Sequence, residues 1–165
     1  MIIRKANFGD AEQINKIYRF ASELMAENGN PSQWINGYPD IDLIKTDIEL
    51  SRSYVMEYDG IIHAVFVFIE GEEDPSYKVI DGKWLNGAPY GVIHRIAGDG
   101  KVNGVMDECI RFCLGKTKNL RADTHKDNKI MRRLLMKNKF IYCGIIRGYY
   151  DGGDRMAYQR CDLPF

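Results

Sequence analysis

The sequence lacks any charge imbalance and any long apolar run, and each absence excludes a class of protein. Lys and Arg total 23 and Asp and Glu also total 23 among 165 residues, so the chain has no overall bias toward nucleic acid. No apolar run is long enough to span a bilayer, and the first 13 residues have no apolar core of the kind found in a signal peptide. We therefore expect a cytoplasmic protein without nucleic-acid or membrane partners.

Cysteine and histidine are also scarce. The chain has four cysteines and three histidines, and they are scattered rather than grouped at metal-ligand spacing: Cys109, Cys113, Cys143, Cys161, His63, His94 and His125. The sequence therefore predicts buried, reduced thiols and no metal site.

The first half of the chain shows strand and helix patterns in turn. A short apolar stretch at 2–5 predicts a first strand. Asp10 and Gln13 have the spacing of a capping box before a helix that Asn28-Gly29 ends. Asp40 predicts the start of a second helix, after a loop at 30–39. Asp59-Gly60 predicts a hairpin turn between strands at 54–58 and 61–69.

The second half adds further strands and two helices. Strands are predicted at 90–97, at 120–124 with a half-buried alternation, at 141–146 and at 155–163. One helix follows the glycines after residue 97. Another follows Asp127 or Asn128, and its apolar stripe consists of Ile130, Met131, Leu134 and Leu135. These patterns predict a single α+β domain over residues 1–165, with one mostly antiparallel central sheet and helices on both faces.

A glycine-rich turn precedes the third predicted helix. Gly98, Gly100 and Gly104 follow a strand and lead into a helix, an arrangement that favours binding of a phosphate or pyrophosphate by backbone N–H groups. The same glycines also suit a plain strand-to-helix turn. Asp99 opposes the anion interpretation unless its carboxylate points away.

The glycine spacing also resembles a variant dinucleotide-binding fingerprint, with Asp123 at the end of the next strand. That motif normally lies in the first strand–helix–strand unit of a domain. Here two helices and a hairpin precede it, and an apparent hairpin follows, so a dinucleotide-binding protein is a lesser alternative.

Two segments, taken together, resemble the GNAT family of N-acetyltransferases. Residues 101–106, Lys-Val-Asn-Gly-Val-Met, are similar to the family's pyrophosphate loop, with Lys at the basic position and Met at the final small position. Residues 121–140 resemble the family's acetyl-CoA-binding helix, with Asn128 and Phe140 at the family's Asn and Phe positions. The resemblance spans nearly the whole chain.

The resemblance implies the GNAT acyl-CoA N-acyltransferase fold and acetyl-CoA as a co-substrate. It implies that the strand before the turn runs beside the pantetheine arm and that the N–H groups of residues 101–105 bind the pyrophosphate. Asn128 would reach the pantetheine or acetyl end, and the following helix would flank it. The implied cofactor-binding residues are Ile96, Ala97, Lys101, Val102, Asn103, Gly104, Val105, Asn128 and Met131.

The catalytic groups are less determined by the resemblance. Family members usually have a tyrosine seven residues after the Asn, where it protonates the leaving thiolate, and this chain has Leu135 there. The replacement candidates are Tyr142, Tyr149, Tyr150 and Cys143, of which we select Tyr142. His94 lies on the strand that should face the cofactor and is a candidate general base, although a structural histidine is the alternative.

The acceptor side is assigned from aromatic residues near the expected cleft. Trp34 and Tyr38 lie in the loop after the first helix, with Gln33 as a polar contact, and Trp84 is a further candidate whose alternative is core packing. The expected activity is direct transfer of acetyl from acetyl-CoA to a primary amine of a small molecule or peptide. The alternative is a non-catalytic or weakly catalytic CoA- or ligand-binding module. Either function is compatible with a homodimer.

Overall fold

The computed structural model describes residues 1–71, 74–148 and 153–162. The chain divides into two compact units: Met1–Phe68 with His94–Cys109, and Ile69–Ile93 with Ile110–Phe165. The expectation of a single domain stays a prediction.

The described chain is a mixed α+β structure with one open, mostly antiparallel sheet and four α-helices, which confirms the predicted fold class. The strands are β1 (Ile2–Lys5), β2 (Ser53–Tyr58), β3 (Ile61–Glu70), β4 (Asp81–Gly82), β5 (Gly91–Gly98), β6 (Asn119–Thr124), β7 (Ile141–Ile146) and β8 (Arg155–Cys161). The helices are α1 (Ala11–Glu27), α2 (Ile41–Glu49), α3 (Val105–Leu114) and α4 (Lys129–Lys137). Strand order across the sheet is β1-β2-β3-β5-β6-β8-β7-β4.

In the first unit, α1 and α2 bury apolar faces against strand residues. The resulting core consists of Ala11, Ile14, Ile17, Tyr18, Ile44, Ile48, Val55, Ile62, Val65 and Ala97. Asp40 caps α2 as predicted, its carboxylate accepting from the Leu43 N–H at 2.8 Å. The β2–β3 hairpin turns at Asp59 and Gly60, both at positive φ, as the Asp-Gly pair predicted.

The predicted capping box at Asp10 and Gln13 is wrong. Asp10 makes no side-chain cap for α1, and the box lies three residues earlier, where Asn7 and Asp10 bracket a 3-10 turn over Phe8–Asp10. The Asp10 carboxylate instead accepts from Arg4 at 2.7 Å, and that hydrogen bond is the main reason that the pKa of Asp10 is lowered.

In the second unit, β6 is buried on both faces, so the prediction of a half-buried strand is wrong. Its alternation suggested that Arg121 faces solvent, but this residue is 5% exposed. Strand β8 pairs antiparallel with both β6 and β7. The two-residue β4 pairs with β7 and was not predicted from the sequence.

The pairing also argues against the dinucleotide-binding alternative. Strands β5 and β6 are parallel and joined through α3, which gives one strand–helix–strand unit. A doubly wound sheet would continue with further parallel strands, whereas the next partner of β6 is the antiparallel β8.

Some sequence predictions fall on residues outside the described ranges. Tyr149 and Tyr150, two of the candidate acids, and Leu163, the predicted end of the last strand, are among these residues. None of the described helices combines the length and the apolar character that crossing a membrane requires.

Candidate functional site

The glycine turn of the first unit joins β5 to α3 and is open at Gly104. Gly104 has φ +78°, and a Cβ atom built on it would meet no heavy atom within 4 Å. Helix α3 begins at Val105, and the first hydrogen bond of its ladder runs from the Glu108 N–H to the Gly104 carbonyl at 3.0 Å. The backbone N–H groups of residues 102–105 precede this ladder and lie at the positive end of the helix.

Asp99 points away from the open part of this turn. Its Oδ2 lies 2.9 Å from His63 Nδ1 on β3, and its Oδ1 accepts from the Lys101 N–H at 3.0 Å. The first contact removes the objection that a carboxylate here must face a bound anion. The second gives the Lys101 N–H a partner within the turn, and the role of residues 101–105 in binding a pyrophosphate stays a prediction.

Met106 departs from the family pattern without closing the turn. Its side chain is 5% exposed and therefore points into the protein rather than across the Gly104 opening. Ala97 belongs to the core of the first unit, so any contact it makes with a cofactor arm has to come from its backbone. Ile96 and Val102 are half-buried, and Lys101 and Asn103 are exposed.

Strand β5 contains a break in its extended conformation at Arg95. This residue has φ +48°, an uncommon value for a residue other than glycine. A fully extended strand would place the side chains of His94 and Arg95 on opposite faces, and the backbone is not extended at this position. Non-glycine residues in this region cost about 1–3 kcal/mol and cluster at functional sites.

Arg95 lies in a buried polar cluster of the first unit. Its Nη2 donates to Asp47 on α2 at 2.7 Å, and its Nη1 lies 3.4 Å from the Tyr38 hydroxyl. Burial alone would lower the pKa of Arg95, but the Asp47 carboxylate and the hydroxyls of Tyr38 and Tyr18 raise it above its usual value. Because Asp47 neutralises the guanidinium, Arg95 is a poor long-range attractor for an acidic acceptor. Sequence reasoning missed this pair, since nothing local signals a contact across 48 positions.

Two of the predicted acceptor residues, Trp34 and Tyr38, pack together beside this cluster, and Gln33 precedes Trp34 in the same loop. Trp34 packs edge-on against Tyr18 at 5.4 Å between ring centroids and against Tyr38 at 6.5 Å. Gln33 accepts from Asn30 at 2.8 Å. Gln33, Trp34 and Tyr38 are each half-buried, which leaves part of every side chain accessible to a ligand.

Trp84, the fourth predicted acceptor residue, belongs to the second unit. The Arg121 guanidinium lies 4.0 Å from the centroid of the Trp84 ring and 3.8 Å from that of Tyr90. Burial lowers the pKa of Arg121, and stacking on two rings is a favourable setting for a desolvated guanidinium. Trp84 therefore has a structural task in its own unit, and its role at an acceptor site stays a prediction.

Asn128 is the N-cap of α4, which resolves the choice between Asp127 and Asn128. Its side-chain oxygen accepts from the Met131 N–H at 3.0 Å, and the residue is 9% exposed. The apolar stripe of α4 is less buried than predicted, since Leu135 is fully buried but Ile130 is 47% exposed. The cofactor roles of Asn128 and Met131 stay predictions.

The candidate acids of the second unit differ in accessibility. Tyr142 is 47% exposed and packs edge-on against Tyr158 at 5.7 Å. Cys143 is 8% exposed, its thiol donates to the Ile141 carbonyl at 3.4 Å, and burial raises the pKa of that thiol. Tyr142 is thus the more accessible of the two, and its catalytic role and that of His94 stay predictions.

No disulfide joins the cysteines of the described ranges. Cys109, Cys113 and Cys143 are buried, while Cys161 is only half-buried, so the prediction of buried thiols is wrong for that residue. Among the described residues, no three His, Cys, Asp or Glu side chains group closely enough to hold a metal ion.

Comparison with known proteins gives a consistent picture of the fold. No protein-family model and no curated protein matches the sequence. Among solved structures, a GNAT-family acetyltransferase from Streptococcus agalactiae is 28% identical, with a TM-score of 0.83 over 99% of this chain and 96% of that one. A GNAT-family acetyltransferase from Listeria monocytogenes is 18% identical, with a TM-score of 0.69 over 97% of this chain and 94% of that one.

A third similar structure is the ribosomal-protein-alanine N-acetyltransferase from Brucella melitensis. It is 15% identical, with a TM-score of 0.66 over 98% of this chain and 99% of that one. These likenesses extend over almost the entire chain. The resemblance to the GNAT family is therefore confirmed at the level of structure: this chain has the GNAT fold.

Proposed function

We propose that the protein is an N-acetyltransferase that moves acetyl from acetyl-CoA directly to a primary amine of a small molecule or peptide. The observation that carries the proposal is the open glycine turn on a GNAT fold. Gly104 has a positive φ, and a Cβ added to it would have no neighbour within 4 Å, so a diphosphate can approach its backbone closely. The similar structure at 28% identity is that of an acetyltransferase, which supports the same activity.

The residues of the turn fit the diphosphate of a CoA thioester. The N–H groups of residues 102–105 and the positive end of α3 would hold it, with the exposed Lys101 ammonium as a further contact. Acetyl-CoA is a substrate and supplies the thioester carbonyl. The neutral amine forms a C–N bond with that carbon and the C–S bond breaks. The nitrogen loses one proton, and the leaving thiolate takes up one proton, so the products are an amide and free CoA thiol.

The acceptor amine is assigned to the aromatic loop of the first unit. Trp34 and Tyr38 offer half-buried aromatic surface, residues 30–39 contain no charged side chain, and the neighbouring Arg95 is paired with Asp47. This surface suits an amine with an apolar or aromatic body better than a strongly acidic one.

A non-catalytic CoA-binding module is the second candidate, and one observation favours it. Leu135 occupies the position of the family's usual tyrosine acid and has no group that could donate a proton. Its side chain is also fully buried. Release of free thiol from acetyl-CoA over a panel of primary amines distinguishes the two. Thiol release that depends on an added amine supports an enzyme. Binding of acetyl-CoA with no thiol release for any amine of the panel supports a binding module.

If Trp34 lines the acceptor site, Trp34→Ala should raise the acceptor KM about tenfold and leave the acetyl-CoA affinity within about twofold. The reason is that the change removes contacts to one substrate only. Steady-state kinetics with varied amine and calorimetry with acetyl-CoA measure the two quantities.

The contact between Trp34 and Tyr18 makes a folding control necessary, because truncation also removes core packing. Trp34→Phe keeps an aromatic ring against Tyr18. Its melting temperature should therefore fall less than that of Trp34→Ala, while the acceptor KM should still rise. A fall in both affinities together with the melting temperature, in both variants, would mean that Trp34 serves the core alone.

A further inference from the structure

Asp99 is a carboxylate placed at the base of the turn that is proposed to hold a diphosphate. It is tied to His63 twice. The His63 Nδ1 lies 2.9 Å from the Asp99 carboxylate, and the Asp99 backbone N–H donates to the His63 carbonyl at 2.9 Å. The two side chains are only 11% and 12% exposed, so water screens their interaction weakly.

Lys101 is the other charged residue in contact with Asp99. Its backbone N–H donates to the carboxylate at 3.0 Å, and its ammonium lies 3.9 Å from the same group with the side chain 74% exposed. An exposed ion pair of this length contributes little to stability, so the ammonium can turn from Asp99 to a phosphate at small cost. After that movement the His63 imidazole is the side chain that still contacts the Asp99 carboxylate among the described residues.

We propose that His63 offsets the charge of Asp99, so that the turn can accept the diphosphate of a CoA thioester without repulsion from its own carboxylate. Asp99 shapes the turn by holding the Lys101 N–H, and His63 keeps the resulting negative charge from opposing the ligand. His63 is thus a positioning residue that acts through Asp99. The inference rests on the proposed function, because the ligand is the diphosphate assigned there.

The test is a double-mutant cycle with His63→Gln and Asp99→Asn. Asn at position 99 keeps an oxygen for the Lys101 N–H and removes the charge, so it separates the shape of the turn from its electrostatics. Calorimetry gives the affinity of all four proteins for acetyl-CoA and for acetyl-pantetheine, which has the thioester arm but no diphosphate. All four proteins are measured in one buffer, so that every comparison is made at the same pH.

The expected result is that His63→Gln weakens acetyl-CoA binding about five- to tenfold, the size of one charge–charge contact at about 4 Å in water. The loss should shrink at high salt, since added ions screen the repulsion. Asp99→Asn alone should bind within about twofold of the wild type, and adding it to His63→Gln should restore the affinity. Acetyl-pantetheine should bind all four proteins alike.

A double variant as weak as His63→Gln, or an equal loss for acetyl-pantetheine, would mean that the pair only braces the turn, and would overturn the inference. An unchanged affinity in His63→Gln would also overturn it. Failure of the wild type to bind acetyl-CoA is a different result, since it removes the proposed function together with the inference. Melting curves of the four proteins verify that each is folded.

Discussion

Gly144→Ala should destabilise the protein by about 4 kcal/mol or more, or prevent folding altogether. Gly144 of β7 pairs with Gly82 of β4, and the two residues have φ +145° and +142°. A Cβ on Gly144 would overlap the Asp81 carbonyl oxygen and approach the Gly82 Cα to 2.8 Å. Backbone atoms cannot rotate aside as the end of a side chain can, so the strand pair has to separate. Urea unfolding of the purified variant measures the loss.

Gly71→Ala is the matched control in the same unit. Gly71 also has a positive φ, +74°, but a Cβ there would meet nothing within 4 Å. The free energy of unfolding of this variant should fall only by the cost of placing alanine in that backbone conformation, about 1–2 kcal/mol. Equal destabilisation in the two variants would show that strand contact at β4 and β7 is not what requires glycine.

The elements most fully predicted from the sequence are those whose signals are local. The Asp59-Gly60 hairpin, the Asp40 cap and the Asn28-Gly29 helix end depend on residues within a few positions of one another, and the structure has all three. Asp10 is a residue for which local sequence patterns gave the wrong prediction. Its sequence neighbours suggest a cap for α1, but Arg4 on β1 binds the carboxylate, and a tertiary contact of this kind leaves no local pattern.

Arg121 departs from the sequence prediction for a related reason. Alternation along β6 places a charged residue on the solvent side, which is the usual location of arginine in a half-buried strand. The rings of Trp84 and Tyr90 lie against the guanidinium and make its burial tolerable. These partners are more than 30 positions away in the chain, so only the folded structure identifies them.

The candidate site also has features that were predicted from local sequence and features that were not. Glycine spacing predicted the open turn before α3, because positive φ and an absent Cβ are properties of the residue type itself. The His63–Asp99 and Arg95–Asp47 pairs were not predicted, since each joins elements that are distant in sequence. The left-handed conformation of Arg95 was also unexpected, because arginine carries no signal for it.

Gly104→Val should lose most acetyl-CoA binding, with the Kd rising about a hundredfold. At φ +78° the backbone of Gly104 is exposed to the opening of the turn, and a branched side chain would fill the space that a diphosphate needs. Hydrogen bonds to a charged group contribute about 1.5–3 kcal/mol each, so losing one or two of them accounts for a change of this size. Calorimetry with acetyl-CoA measures the Kd.

Gly60→Val separates this effect from backbone strain. Gly60 has nearly the same φ, +74°, lies in the same unit, and likewise has nothing within 4 Å of the position that a Cβ would take. Both variants therefore bear a similar conformational cost, and their melting temperatures should fall by similar amounts. Only Gly104→Val should lose the cofactor, because the Gly60 turn joins β2 to β3 and adjoins no proposed anion site. A folded Gly104→Val protein that binds acetyl-CoA as tightly as Gly60→Val would remove the diphosphate from this turn. The GNAT fold would then remain, but acetyl-CoA would have to be held by other residues.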